Sequence, residues 1–416
     1  MDAEIAGRRW RDDFDLDDPA YGDVFNEVAD QLVAHCPVAH SRAGYYVINR
    51  YDDILRVLQD WQTFSSADGI IGAVRAPAQP LFKPNETDPP EHTQLRGVLT
   101  RFFTAAAVLQ HEPGIRTIAD RLMDAFVDLG QVEVVKQYAD PLPPIAFCQV
   151  VAHMPPADMD VLQQVFTDAI TGPLEMRGVN WVKGQDYLAA LLARRKHEPR
   201  QDDIVDAILY FEFPDGRLYS DSERAGSLAQ IVAAGATTTG AVIAGALYHL
   251  ATHVEDRRRL QADHSLIPRA VEEFLRVYVS APNNGRRVMR DVEIAGTLLR
   301  GPHDGEKGDY IIYNLGGANR DPNLFKAPGQ TDITRSPNRH LSFAAGTHRC
   351  LGLHLARLNL RIALEAFITR VEDFALAPGF VPRYLGGITR SLRELPLTFE
   401  PRARKYRLNK NAGHAR

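Results

Sequence analysis

The chain has 416 residues, 45% of them hydrophobic and 24% charged, with a net charge of −5 and an isoelectric point near 6.3. Such a chain can bury a large core, and its mild acidity gives no support for nucleic-acid binding. Its three cysteines, Cys36, Cys148 and Cys350, are odd in number and far apart, which implies no disulfide framework and points to a reducing compartment.

Met1–Trp10 is polar and lacks an apolar stretch, so neither a signal peptide nor a membrane anchor is expected. Tyr45–Ile48 reads as a strand and Asp52–Gln59 as a short helix. Ile70–Pro90 is rich in proline and glycine and predicts a long loop, of a length that is uncommon and often functional. Pro89-Pro90-Glu91 opens a helix to Phe103, with proline in its first turn. Helical periodicity covers Ile115–Leu129, Asp158–Ile170, Val182–His197 and Asp202–Phe211, and Asp215-Gly216 marks a turn. Asp221 or Ser222 is expected to cap a helix of roughly thirty residues reaching Thr252, far longer than the average. Its apolar run, Leu228–Leu250, is interrupted by Gln230, threonines, glycines and His249, and so predicts a buried core helix instead of a membrane span. Arg269–Val279 is a further helix, closed by Ser280-Ala281-Pro282. Val288–Ile294 and Tyr310–Tyr313 read as strands, with the polar, glycine-rich Gly301–Gly308 as a hairpin loop between them. Leu351–Val371 predicts a long helix. The last strands fall within Phe374–Phe399, and the basic tail from Arg402 frays. The chain is thus expected to be mainly α with small β-sheets, one domain over 1–416 with peripheral tails at 1–20 and 402–416.

The most specific stretch is Phe343–Gly352, Phe-Ala-Ala-Gly-Thr-His-Arg-Cys-Leu-Gly. The pattern Phe-x-x-Gly-x-x-x-Cys-x-Gly arises by chance in about one chain in a thousand of this length. Gly346 allows a backbone conformation closed to other residues. Gly352 lets the following helix approach a flat cofactor. Cys350 sits at a helix N-terminus, where N–H groups and the dipole favour an anionic sulfur. A thiolate so placed suits a haem iron ligand. A structural cysteine in a turn is the bland alternative.

Ala234-Gly-Ala-Thr-Thr-Thr-Gly240 interrupts the long helix with poor helix formers. A threonine hydroxyl here can bond the carbonyl one turn back and open the ladder into a groove. Spacing puts Gln230, Ala234 and Thr238 on one face. Glu273 and Arg276, three apart on one helix, read alone as an ordinary surface pair. Buried, they would lock the irregular Arg320–His340 stretch to the core and hold the cysteine loop. His92, Arg96, Arg286 and His348 are basic groups suited to binding carboxylates.

Taken together these motifs resemble the cytochrome P450 family, specifically its soluble bacterial kind, over nearly the whole chain. Cys36-Pro-Val-Ala-His-Ser41, Arg50-Tyr-Asp-Asp53, Asp88-Pro-Pro-Glu-His-Thr93 with Leu95-Arg96, and Ala234–Thr239 carry the likeness. So do Glu273 with Arg276, Gly285-Arg286 before Asp291-Val-Glu-Ile294, Ala318-Asn-Arg-Asp-Pro322, the Cys350 loop and Leu395-Pro-Leu397. The resemblance implies a triangular, mainly α domain with haem b between two long helices and Cys350 as its axial thiolate. His92, Arg96, Arg286 and His348 would meet the propionates, and Phe343, Gly352, Ala234 and Gly235 would adjoin the ring. O2 would be activated with two electrons and two protons, usually to hydroxylate a substrate, with Thr238 holding the water that delivers a proton. No flavin or iron–sulfur module lies in the chain, so electrons would come from a ferredoxin and its ferredoxin reductase. These would dock on a basic face of Arg96, Arg101, Arg349 and Arg357. A cytoplasmic, bacterial, soluble monomer with no membrane partner is expected. Substrate contacts are expected from the Ile70–Phe82 loop, Gln230, Ala233, Ala234, Pro282, Asn283 and Ile388, around a small, mostly apolar molecule with one polar group.

Two departures from the family pattern stand out. Thr237 occupies a position where the family usually carries Asp or Glu as a proton relay, so Thr237 and Thr238 become the candidate proton-handling pair. Ala344 stands where glycine is commoner, and is expected to have negative φ. A P450 fold that uses peroxide or performs a non-hydroxylating oxidation, and a haem-binding sensor, are the rival readings.

Overall fold

The computed structural model describes residues 15, 18, 20–70, 82–172, 174–387 and 389–401. Helices dominate and four small sheets flank them. The basic tail from Arg402 and most of 1–20 lie outside the described residues.

The long helix is the axis of the molecule. Its cap is Ser220, one residue before the expected pair. Ser220 Oγ accepts from the Glu223 N–H, and the Glu223 carboxylate accepts from the Ser220 N–H. This reciprocal capping box stabilises a helix start by about 1 kcal/mol. The helix runs Asp221–Ala236, breaks at Thr237 (φ −121°, ψ −30°) and resumes over Thr238–Thr252. It is long and apolar enough to cross a membrane, yet 71% of its apolar window is buried in the fold. It packs against Leu353–Arg370, the helix after the cysteine loop, and against Leu174–Arg195. These helices share one continuous apolar core.

The expected elements are present with shifted ends. Leu174–Arg195 starts eight residues before the predicted Val182. The predicted strand Val288–Ile294 is two strands, Asn283–Val288 and Val292–Ile294, in different sheets. Val292–Ile294 pairs with Thr297–Leu299 across the positive-φ residues Ala295 and Gly296, so the hairpin turn lies there and not at Gly301–Gly308. The helix Tyr21–His35 was not anticipated; it buries Phe25, Val28 and Leu32 in a second core behind the main sheet.

That main sheet has the order Val38–His40, Tyr46–Ile48, Tyr310–Asn314, Asn283–Val288, Phe64–Ser65. Tyr46–Ile48 runs parallel to Tyr310–Asn314 and the other pairs are antiparallel. Asn283–Val288 carries one wall of the cavity described next.

Candidate active site

The cysteine loop is held by its own backbone. The Cys350 N–H donates to the Phe343 carbonyl at 2.8 Å and the Ala344 N–H to that of Leu341 at 2.7 Å. Gly346 has φ +65°, and a Cβ there would lie 2.1 Å from the Leu58 carbonyl oxygen, so only glycine fits. Ala344 departs from expectation: its φ is +53°, because the turn closing on Leu341 needs a left-handed residue at this point. Gly352 caps the helix Leu353–Arg370, placing Cys350 two residues before the cap. Burial pushes the Cys350 thiol up, while the Gly352 N–H and the guanidinium groups of Arg96, Arg357 and Arg349 favour its anion.

Buried ions clamp this loop to the fold. Arg276 Nε and Nη2 donate to the two Glu273 oxygens at 2.9 and 2.7 Å, and both side chains are fully enclosed. Arg276 also donates to the carbonyls of Asn319, Pro328 and Gln330. Glu273 accepts from Arg335, Asn338 and the Asp332 N–H. Asn319 bonds Ser342 and the Leu341 N–H, so the network ends beside Phe343. The adjacent Glu272 binds Arg357 bidentately at 2.6 and 2.7 Å and meets His340 at 3.2 Å. Burial alone would raise the Glu272 carboxyl, but Arg357 and His340 hold it down to about 2. Glu272 was missed in the sequence. It adjoins Glu273, so a second anchored carboxylate on the next helix position was the available signal.

One cavity of about 300 Å³ lies between the two long helices. Cys350, Phe343, Gly352 and Leu355 line it from one side, Ala234, Gly235, Thr238 and Thr239 from the other. Thr238 Oγ1 donates to the Ala234 carbonyl at 2.9 Å, replacing ladder geometry at the break as the spacing predicted. Thr237 is not in the lining. Its side chain is buried away from the cavity, and its hydroxyl has no partner among the described residues.

His92, Arg96, Arg286 and His348 all border the same cavity. The His92 and His348 rings lie 4.2 Å apart, and each keeps its Nδ1 buried without a partner. His348 Nε2 meets Ser66 Oγ at 3.1 Å. Among the described residues Arg286 donates only to the Gly285 carbonyl, at 2.7 Å, and Arg96 only to that of Arg349. Among the described residues neither arginine has a carboxylate partner. Burial, then the neighbouring guanidinium groups, pushes the His92 imidazole down to about 4 and His348 well below its usual range. Buried cations without anions are costly, and this set fits a flat group presenting two carboxylates. The unobstructed space at Gly352, where an added Cβ would meet nothing within 4 Å, fits its ring.

The remaining expected contacts divide. Gln230 and Ile70 line the cavity. Ala233 does not; it points into the helical core, one residue around the helix from Ala234. Pro282 is buried beneath the wall, its carbonyl accepting from the Leu315 N–H. Asn283 is also turned inward, donating to the Gly387 carbonyl at 3.1 Å. Side chains alternate along a strand, so the residue sharing a face with Arg286 is Asn284, and Asn284 lines the cavity. That parity was available in the sequence once Arg286 was placed. Ser280, Ala281 and Asn85 complete this side. Ile388 and residues 71–81 of the predicted loop lie outside the described residues.

A family model described as Cytochrome P450 matches residues 157–374. The vitamin D(3) 25-hydroxylase of Pseudonocardia autotrophica is 30% identical over 371 residues, which is 86% of this chain and 90% of that protein. The biotin biosynthesis cytochrome P450 of Bacillus subtilis is 32% identical over 321 residues, covering 75% of this chain and 78% of its own length. Among solved structures, a mutant of P450 EryK in complex with erythromycin B superposes with a TM-score of 0.82 at 27% identity, covering 92% of this chain and 98% of that one. The cytochrome P450 PksS of the Bacillus subtilis bacillaene polyketide synthase gives 0.80 at 27% identity, covering 93% and 100%.

Proposed function

From the premise that this chain belongs to the cytochrome P450 family, we propose that it hydroxylates a small, mostly apolar molecule using electrons from a ferredoxin and its reductase. It is a haem-thiolate monooxygenase, and the reaction balances as RH + O2 + two electrons + two protons giving ROH + H2O. One observation carries the reading: a loop cysteine, a helix-break threonine and four basic groups without carboxylate partners share a single cavity.

The haem, when bound, supplies O2 activation, with the thiolate's electron density favouring O–O cleavage. Cys350 would be its ligand, with the Gly352 N–H and nearby guanidinium groups favouring the anion against the burial that raises the thiol. Arg96 and Arg286 bind its carboxylates as cations, while His92 and His348, neutral at pH 7, serve as hydrogen-bond partners. Phe343, Gly352, Ala234 and Gly235, which line the cavity, would adjoin the ring. Thr238 Oγ1 holds a proton at the cavity surface. Glu273 and Arg276 act by fixing the loop.

Gln230, Asn85 and Asn284 set neutral amides in a wall that also includes Ile70, Phe147 and Ile231. That pattern suits an apolar body with an uncharged hydroxyl or carbonyl. For electron delivery, Arg101 and Arg349 are exposed, whereas Arg357 is turned inward to Glu272, which narrows the expected docking face. The chain then works as one cytoplasmic, monomeric haem domain over 1–416.

The test is a spin-state titration of the ferric protein with testosterone, vitamin D3 and hexadec-9Z-enoic acid. NAD(P)H-driven turnover with a ferredoxin and its reductase follows. Hydroxylated product from the compound that shifts the spin state supports the reading; O2 and NAD(P)H consumed with no oxygenated product from any of them refutes it. Thr237, in place of an acid, favours a second reading in which peroxide is the oxidant. Sustained peroxide-driven turnover, faster than the reductase-driven reaction, would select it.

A further inference from the structure

No aspartate or glutamate lines the cavity among the described residues, although the reaction consumes protons there. On the side of the helix turned from the cavity, Gly240 is pressed against the segment Ala139–Asp140. A Cβ at Gly240 would lie 2.7 Å from the Ala139 carbonyl oxygen and 2.8 Å from Asp140 Oδ1. Thr237 is three residues earlier, at the break itself, with its hydroxyl buried and unpartnered among the described residues.

Asp140 is placed by an unusual backbone. Its N–H reaches back five residues to the Val135 carbonyl at 2.9 Å, closing a wide helical turn of a kind often found at functional sites. Its carboxyl has no hydrogen-bond or ion-pair partner among the described residues, and it keeps partial access to solvent. Burial, with a smaller contribution from the Glu133 carboxylate, pushes it up to about 7. Among the described residues Glu133 is the only charged group acting on it, and Glu133 is itself bound to the backbone N–H groups of Val135, Lys136 and Leu395. Gly240 is the point of the helix pressed against this segment, and Thr237 lies three residues before it.

We propose that Asp140 is the proton-supplying group of this enzyme, feeding the cavity through the Thr237 hydroxyl in the break of the long helix. The Asp140 O–H bond breaks as its proton passes to a bridging water, which gives a proton to Thr237 Oγ1; that hydroxyl releases its own proton toward Thr238 Oγ1 on the cavity side. Asp140 is then reprotonated from solvent. No other reactant is needed. A glycine at 240 is what lets a carboxyl approach the helix so closely.

The inference rests on the monooxygenase reading, and its test separates the two. The holoprotein is supplied with NADPH, a ferredoxin and its reductase, without organic substrate, and peroxide released per NADPH is measured from pH 6 to 8.5. Two-electron reduction gives peroxide (O2 + two electrons + two protons), while proton-assisted O–O cleavage gives water (O2 + four electrons + four protons). In the parent the peroxide share is expected to be low below pH 7 and to rise as Asp140 ionises. In Asp140→Asn it is expected to be high, at least about twofold above the parent at pH 6, and flat with pH. Thr237→Asp added to Asp140→Asn lowers it again. Infrared spectra of the holoprotein give a readout independent of turnover: a protonated-carboxyl band that titrates near neutrality and is missing in Asp140→Asn. A parent that oxidises no NADPH sinks the monooxygenase reading. A parent that does so, with Asp140→Asn matching its peroxide share at every pH or keeping the band, overturns the role of Asp140.

Discussion

Replacing Arg276 by leucine tests what holds the cysteine loop. Arg276 makes two hydrogen bonds to Glu273 and three to backbone carbonyls, with neither ion exposed to solvent. Removing one partner of a buried pair costs about 3–5 kcal/mol, and here it leaves Glu273 with only the outer cation Arg335. Of the three carbonyls, those of Pro328 and Gln330 belong to a partly exposed coil and can rehydrate. Asn319 is fully buried, so its carbonyl stays dry and adds about 1–3 kcal/mol. The expected loss is therefore about 4–8 kcal/mol, comparable with the whole stability of an ordinary domain. Arg335→Leu removes only the outer cation on Glu273, and should cost about 1–2 kcal/mol. Urea unfolding of both variants, with haem content as the second readout, checks the order. If Arg276→Leu unfolds within about 1 kcal/mol of the parent and retains its haem, the pair is not the clamp described here.

Further outcomes are expected for five other variants. Cys350→Ser should abolish the thiolate spectrum of the reduced, carbon monoxide-treated protein, while the apoprotein's urea midpoint stays close to the parent's. Ala344→Gly should stabilise by about 0.5–1 kcal/mol, the relief of a left-handed alanine less the added freedom of the unfolded chain, whereas Gly346→Ala should destabilise by more than about 2 kcal/mol; paired urea curves decide both. Glu272 has a depressed carboxyl, so its contribution to stability is present above the usual carboxylate range and is lost as pH falls toward about 2; Glu272→Gln should flatten stability over that interval, measured by urea midpoints from pH 5 to 2. Thr238→Ala should raise peroxide released per NADPH, because it removes the hydroxyl on the cavity side of the break.

Several parts of this site were legible because their signal is local. The glycine that only a left-handed turn accepts, the cysteine four residues after it, the threonine one turn from Ala234 and the Glu-x-x-Arg pair all depend on spacing within one element, and backbone geometry carries such spacing directly into space. Composition and periodicity likewise determined a mainly helical chain with one buried helix of exceptional length. Whether Glu273 and Arg276 were an idle surface pair or a sealed clamp was not a local matter: the burial that decides it comes from the coil 319–338 folding over them. The same holds for the choice of Asn284 over Asn283, which the sheet register made, and for Ala344, whose left-handed turn is imposed by the closure of the loop on Leu341. Asp140 is the clearest case. Nothing in its own neighbourhood of sequence marks that carboxyl; tertiary packing, which sets its turn against Gly240 a hundred residues on, largely buries it and so raises its proton affinity. Burial and charge environment are properties of what arrives from elsewhere in the chain, and a linear pattern carries no record of arrival.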